Sequence, residues 1–119
     1  MEALDLSSKF DQINEYWSPH IIGELNGQYV KIAKLKGEFV WHSHESEDEL
    51  FLVYKGNLKI IFRDRVTKLK EGQICIVPKG VEHKPIAESE VHVVLFEPMS
   101  TVNTGDTMSV LTKKNLKKI

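Results

Sequence analysis

The stretch WHSHESEDELFLVYKG, residues 41–56, holds two histidines one residue apart, four acids around a single serine, and an apolar run closed by glycine. Imidazole nitrogens and carboxylate oxygens are common ligands of divalent cations. In an extended strand, residues i and i+2 point the same way. His42 and His44 therefore project from one face, ~7 Å apart along the backbone. Glu49 follows the loop ESED and opens the next apolar stretch, ELFLVY, on the face of Phe51 and Val53. If that stretch pairs antiparallel with the histidine segment, Glu49 returns alongside the two rings. A lone carboxylate aimed into a core is costly, and a positive partner relieves the cost. Glu45, Glu47 and Asp48 are read as a solvated loop rim.

A fourth candidate ligand lies downstream, in EGQICIVPKGVEHKPIA. Pro78 and Gly80 shape a tight turn, and His83 starts the strand beyond it. Three neutral imidazoles and one carboxylate suit a divalent first-row transition ion, Fe, Mn, Co, Ni, Cu or Zn. Four protein ligands in an octahedral shell leave two positions for water, substrate or oxygen.

The elements that must carry these side chains can be read from the rest of the chain. Its 119 residues fit one domain, and 41% apolar with 28% charged residues is a globular rather than a disordered composition. A net charge of −1 gives no general case for a nucleic-acid partner. The opening residues MEALDLSSKF carry no basic or apolar leader pattern, and no apolar run approaches the ~20 residues of a membrane span, so a cytoplasmic protein is expected. The one cysteine, Cys75, lies in the apolar run ICIV and is read as a small buried residue.

Three segments are expected: an N-terminal helical segment at 1–18, a barrel at 19–100 and a C-terminal tail at 101–119. Within 4–16, Ser7 or Ser8 caps a short helix that presents Phe10, Ile13 and Trp17, and Pro19 ends it. From 19 to 98, apolar and polar residues alternate in YVKIAKL and NLKIIFR. Asn26-Gly27, Lys55-Gly56-Asn57, Glu71-Gly72 and Lys79-Gly80 mark turns, about 8–12 residues apart as in sandwiches and barrels. The tail, with Lys113, Lys114, Lys117 and Lys118, is expected to be solvated or loosely docked. His20 is read as a surface residue and His92 as a structural histidine at the core edge. Trp17, Phe39 and Trp41 are assigned to packing or subunit contacts, and Lys84 is expected to point outward.

Taken together, Gly37, His42, His44, Glu49 and Gly56 resemble the first motif of the cupin family, and Gly72, Pro78, Gly80 and His83 resemble the second. The resemblance covers residues 37–87. It departs at the spacing from Gly37 to His42, one residue short, and at Ala87, where an asparagine is common. It implies an all-β double-stranded β-helix, or jelly roll, with a short N-terminal helix and the metal inside one end of the barrel. His42, His44, Glu49 and His83 match the ligand positions one by one. It also implies a homodimer, for which the apolar-rich residues 21–36 and the N-terminal residues are the expected surface. Small single-domain members often carry a mannose-6-phosphate-isomerase-like label.

Three functions remain open: a metal-dependent enzyme of dioxygenase or isomerase type acting on a small polar or chelating metabolite, a sugar-like small-molecule binding module whose metal orients the ligand, and a structural protein with an incidental metal. A sugar-phosphate substrate would want cations at the barrel mouth. Lys31, Lys34 and Lys36 are near in sequence, but their spacing does not bring them together.

Overall fold

The structure, a computed structural model, describes residues 1–119. It is 47% strand with one short helix. Helix α1 (Leu6–Phe10) is followed by β1 (His20–Leu25), β2 (Gln28–Glu38), β3 (Glu49–Lys55), β4 (Leu58–Phe62), β5 (Val66–Leu69), β6 (Ile74–Val77) and β7 (His83–Pro98). All strand pairs are antiparallel, in the order β1-β2-β7-β3-β6, with β4 joining β7 to β5. The first residues of β7 pair with β4, and the later ones lie between β2 and β3. One strand thus links β4 and β5 to the other four strands and closes the expected jelly roll.

Alternation decides which residues fill the barrel. Ala33 and Leu35 from β2, Phe51 and Val53 from β3, Leu58 and Ile60 from β4, and Val91, Val93 and Leu95 from β7 form one buried cluster with Trp17 and Phe39. The Asn26-Gly27 turn joins β1 to β2 with φ of 50° and 77°, the paired positive values of a tight hairpin. Residues 21–36 therefore form a hairpin, as expected, but both edges of β2 are paired within the chain, which leaves the outer edge of β1 beyond Ile21, where the C-terminal residues dock.

The helix is shorter than expected and starts from a different cap. Asp5 rather than a serine caps it, accepting from the Ser8 amide at 2.9 Å. Phe10 is its only buried residue, and so short a helix has little stability of its own. The chain then leaves helical geometry so that Ile13 joins Phe10, Ile32 and Val94 on the outside of the barrel. The Lys34 Nζ donates to the Ile13 carbonyl at 2.9 Å, and the Trp17 amide donates to the Lys34 carbonyl at 2.9 Å. Phe10, Ile13 and Trp17 are all buried, but Trp17 sits at φ 58° and belongs to no helix.

Of the two expected states of the C-terminal segment, solvated or loosely docked, the structure shows docking, with Lys114, Lys117 and Lys118 exposed on its outside. Thr104 is fully buried, Leu111 packs on the main core, and Ile119 packs with Phe10 and Ile32. The Ile21 amide donates to Lys117 O at 2.8 Å, and the Ile119 amide donates to Ile21 O at 2.9 Å. Further up, the Asp106 amide donates to Ser43 O at 3.1 Å, and the Thr107 hydroxyl donates to Trp41 O at 3.2 Å. Residues 101–112 thereby brace the segment that carries His42 and His44.

Candidate metal centre

His42 and His44 do not lie on a regular strand, and their segment does not pair with β3. His42 instead forms an isolated antiparallel bridge with His83 at the start of β7. Glu49, on β3 between β6 and β7, reaches the histidines across the barrel interior. The turn before His83 ties the site's loops together. The Gly80 amide donates to His44 O at 2.8 Å, and the Lys79 amide donates to Asp48 Oδ1 at 2.8 Å. Asp48 therefore holds the two loops together from the rim.

The four candidate ligands converge. His42, His44 and Glu49 are each at most 4% exposed and His83 is fully buried. One donor atom from each lies within 4.8 Å of the others. His44 Nε2 is 3.6 Å and His83 Nε2 is 3.4 Å from Glu49 Oε1, too far for good hydrogen bonds. Ligand bonds of ~2.1 Å would set neighbouring donors ~3.0 Å and opposite donors ~4.2 Å apart, so the group is about the size of an ion's coordination shell. Both His44 nitrogens and His83 Nε2 are buried without a hydrogen-bond partner. Orphaned polar atoms of this kind are uncommon in folded proteins and need a partner. A metal ion fits these residues.

The surroundings set the ring orientations. Nδ1 of His42 meets Val40 O, and Nδ1 of His83 meets Val81 O, each at 2.9 Å. With Nδ1–H donating, each ring turns a lone pair on Nε2 toward the interior. Burial, and next the neighbouring His83, lower the pKa of His42 to about 4, so its ring is neutral near pH 7. Burial opposes charge on Glu49, but polar contacts with Glu97, His44 and His83 hold its carboxyl well below the usual range. Burial and the Glu49 charge raise Glu97 well above it.

A cavity of about 40 Å³ opens beside the ligands. Its walls include Trp17, Leu35, Phe39 and Phe51, and its polar side is formed by His42, Glu49, Glu97 and Asn103. Trp17 and Phe39, assigned by sequence to packing or subunit contacts, stack at 4.7 Å and line this cavity. His20 is buried rather than exposed, with Nδ1 2.7 Å from Ser18 O. His92 is structural, bonded to Glu90 at 2.7 Å and stacked on Phe10 at 4.7 Å. Trp41 lies under the Arg63 guanidinium at 3.8 Å, and Lys84 pairs with Glu38 at 2.8 Å.

Sequence reasoning missed Glu97 and did not place Lys31. Alternation carried one step further in VHVVLFEP puts Glu97 on the inner face with Val93 and Leu95, and in YVKIAKL it puts Lys31 with Ala33 and Leu35. Lys31 is buried against Glu97 at 2.8 Å. Lys34 is bound to Ile13, so no lysine cluster forms at a mouth.

Comparisons with known proteins agree with this architecture. An uncharacterized protein of Bacillus subtilis (strain 168), YdbB, is 37% identical over 75 residues, 62% of this chain; the match spans 66% of that relative's length. A cupin-2 domain containing protein from Shewanella frigidimarina NCIMB 400 is 44% identical with a TM-score of 0.79, over 80% of this chain and 93% of that one. Protein NMB1881 from Neisseria meningitidis is 33% identical with a TM-score of 0.75, over 82% and 99%. Residues 28–102 match the cupin domain family, and by that match, with its jelly roll and its buried histidines and glutamate, the chain belongs to the cupins.

Proposed function

We propose that this cupin is a metal-dependent enzyme of dioxygenase or isomerase type, that His42, His44, Glu49 and His83 hold its divalent ion, and that its substrate is a small chelating molecule with an apolar body. The observation that carries the reading is the set of partnerless, buried nitrogens of His44 and His83 facing Glu49 beside a cavity. When bound, a first-row ion supplies Lewis acidity toward a carbonyl or, if redox-active, chemistry with dioxygen. The chain's own residues do the rest. Backbone carbonyls fix the rings of His42 and His83, and Glu49 neutralises part of the ion's charge. The Trp17–Phe39 stack and Leu35 keep water from one side of the cavity.

The lining argues against a sugar phosphate. It contains no lysine or arginine, and the nearby Lys31 is buried and engaged by Glu97. A second reading is a binding module whose metal orients a ligand without turnover. The first test is elemental analysis of protein purified without added metal. The second is calorimetry of metal-loaded protein with oxalate, catechol and a hexose phosphate. Binding of the first two without the third supports the reading. Absence of metal affinity sinks it, and preference for the hexose phosphate sinks the substrate class. Dioxygen uptake or isomerisation in the presence of a bound chelator then separates enzyme from binding module.

A further inference from the structure

Three neighbouring strands place three ionisable side chains in one row on the inner face of the barrel. The register that pairs Leu50 with Phe96 sets Glu49 of β3 opposite Glu97 of β7. Glu97 is in turn opposite Tyr29 of β2, which leaves Lys31, two residues on, within reach at 2.8 Å. Glu97 and Lys31 are each 1% exposed and Glu49 4%. Like charges directly opposite on a sheet are unfavourable, and buried ion pairs are often no more stabilising than apolar residues of the same volume. A barrel that needed only stability would be expected to fill this row with apolar side chains.

The hydrogen bonding gives the row a direction. Oε1 of Glu97 accepts from Lys31 Nζ, which also contacts the Thr101 carbonyl at 3.4 Å. Oε2 has no N–H or hydroxyl donor. The remaining neighbour is Glu49, opposite it on β3 and lining the same cavity. Glu97 is thus fixed at one end by a lysine and faces a candidate metal ligand at the other. Residues that hold a ligand in this way commonly change metal affinity 10- to 100-fold when removed.

We propose that Glu97, clamped by Lys31, is a positioning residue that sets the side-chain orientation of Glu49 on the ion. The inference rests on the metal reading above and extends it to two residues outside the ligand set.

The test uses the full chain titrated with Co(II), read both by affinity and by the visible absorption bands that report coordination geometry. The double variant Lys31→Met, Glu97→Leu replaces the buried pair with apolar side chains of similar size. It should keep the melting temperature of the metal-free protein, bind Co(II) roughly 10- to 100-fold more weakly, and show altered bands. Glu97→Gln, which keeps the side chain's shape, an acceptor for Lys31 and a polar group facing Glu49, should stay within about threefold of wild type, since losing that support is what costs affinity. Wild-type affinity and bands in the double variant would overturn the proposal, because a merely structural pair changes stability and not the cage. If the double variant does not fold, Lys31→Met alone decides: it should weaken binding and shift the bands, and an unchanged result refutes the clamp. A wild-type protein that binds no Co(II) removes the metal reading and this inference together, whereas equal binding by wild type and variants removes only this inference.

Discussion

His42 and His83 face each other as a main-chain pair: the amide of His42 donates to His83 O at 3.0 Å, and the amide of His83 donates to His42 O at 2.9 Å. Two candidate ligands from segments far apart in sequence are thus aligned by backbone, and their rings lie 4.2 Å apart between centroids. His44 has no such support for its ring, since neither nitrogen has a partner.

The first prediction separates ligands from bystanders. His44→Ala should lose most of the bound metal while remaining folded, since its ring makes no hydrogen bond that the fold needs. His20→Ala and His92→Ala should retain the metal, although His20→Ala gives up a buried contact to Ser18 worth ~1 kcal/mol. Metal content per chain, measured after gel filtration, checks this. Equal content in all three variants rejects the ligand assignment.

Metal removal should leave the barrel folded. The main cluster joins side chains from β2 to β7 with Trp17 and Phe39, and buried apolar side chains contribute ~1.5–3 kcal/mol each. Added metal should stabilise only by linkage, ~2.7 kcal/mol at a hundredfold excess over Kd. Circular dichroism of the chelator-treated protein is the check, and a random-coil spectrum would make the metal a structural staple.

Acid should weaken the metal-free protein in a defined window. The folded pKa of His42 is lowered to about 4 from an ordinary value of 6.5. Between those values the unfolded chain binds the proton that the folded chain refuses. Its contribution is therefore fully present above pH ~6.5, declines as pH falls and is gone near pH ~4. A shift of this size corresponds to about 3 kcal/mol. Urea unfolding at pH 7 and pH 4.5 should show the loss, and His42→Gln should show a shallower one. Identical slopes for the two proteins would place the acid sensitivity elsewhere.

Gly105 offers a test of the C-terminal brace. It sits at φ 56°, and a Cβ there would come 2.0 Å from Ser43 O and 3.3 Å from His44 Nδ1. Gly105→Ala must displace the segment that bears His42 and His44. It should cost about 2 kcal/mol or more and lower metal affinity with it. A melting temperature and metal content equal to wild type would show that the brace is dispensable.

How much could be read from sequence varied with the kind of contact. The four candidate ligands and the turns around them were legible because residue type, i,i+2 spacing and turn residues are local signals. The burial of Phe10, Ile13 and Trp17 was legible, but their conformation was not. Helical spacing alone does not reveal that the backbone from Ile13 to Trp17 is bound by Lys34 of β2. The Lys31–Glu97 pair joins residues 66 positions apart, and neither alternating stretch names its partner. Docking of the tail depends on main-chain bonds between Ile21 and Lys117 and Ile119, and a lysine-rich composition gives no hint of them.

The pairing of β7 with three other strands gives the site a rigid side and a yielding side. His83 and Glu97 belong to one strand held along its length by β2, β3 and β4, so freeing either requires breaking several ladders at once. His42 is joined to that strand by a single bridge, His44 by one bond from its carbonyl to Gly80 in the turn before it, and the rest of the segment by two bonds from the C-terminal brace to Trp41 and Ser43. Local opening favours the segment with fewer bonds. Amide exchange should therefore be fast across 43–48 and slow at His42 and across β7, and an ion would enter and leave by the histidine loop while the remainder of the barrel stayed closed.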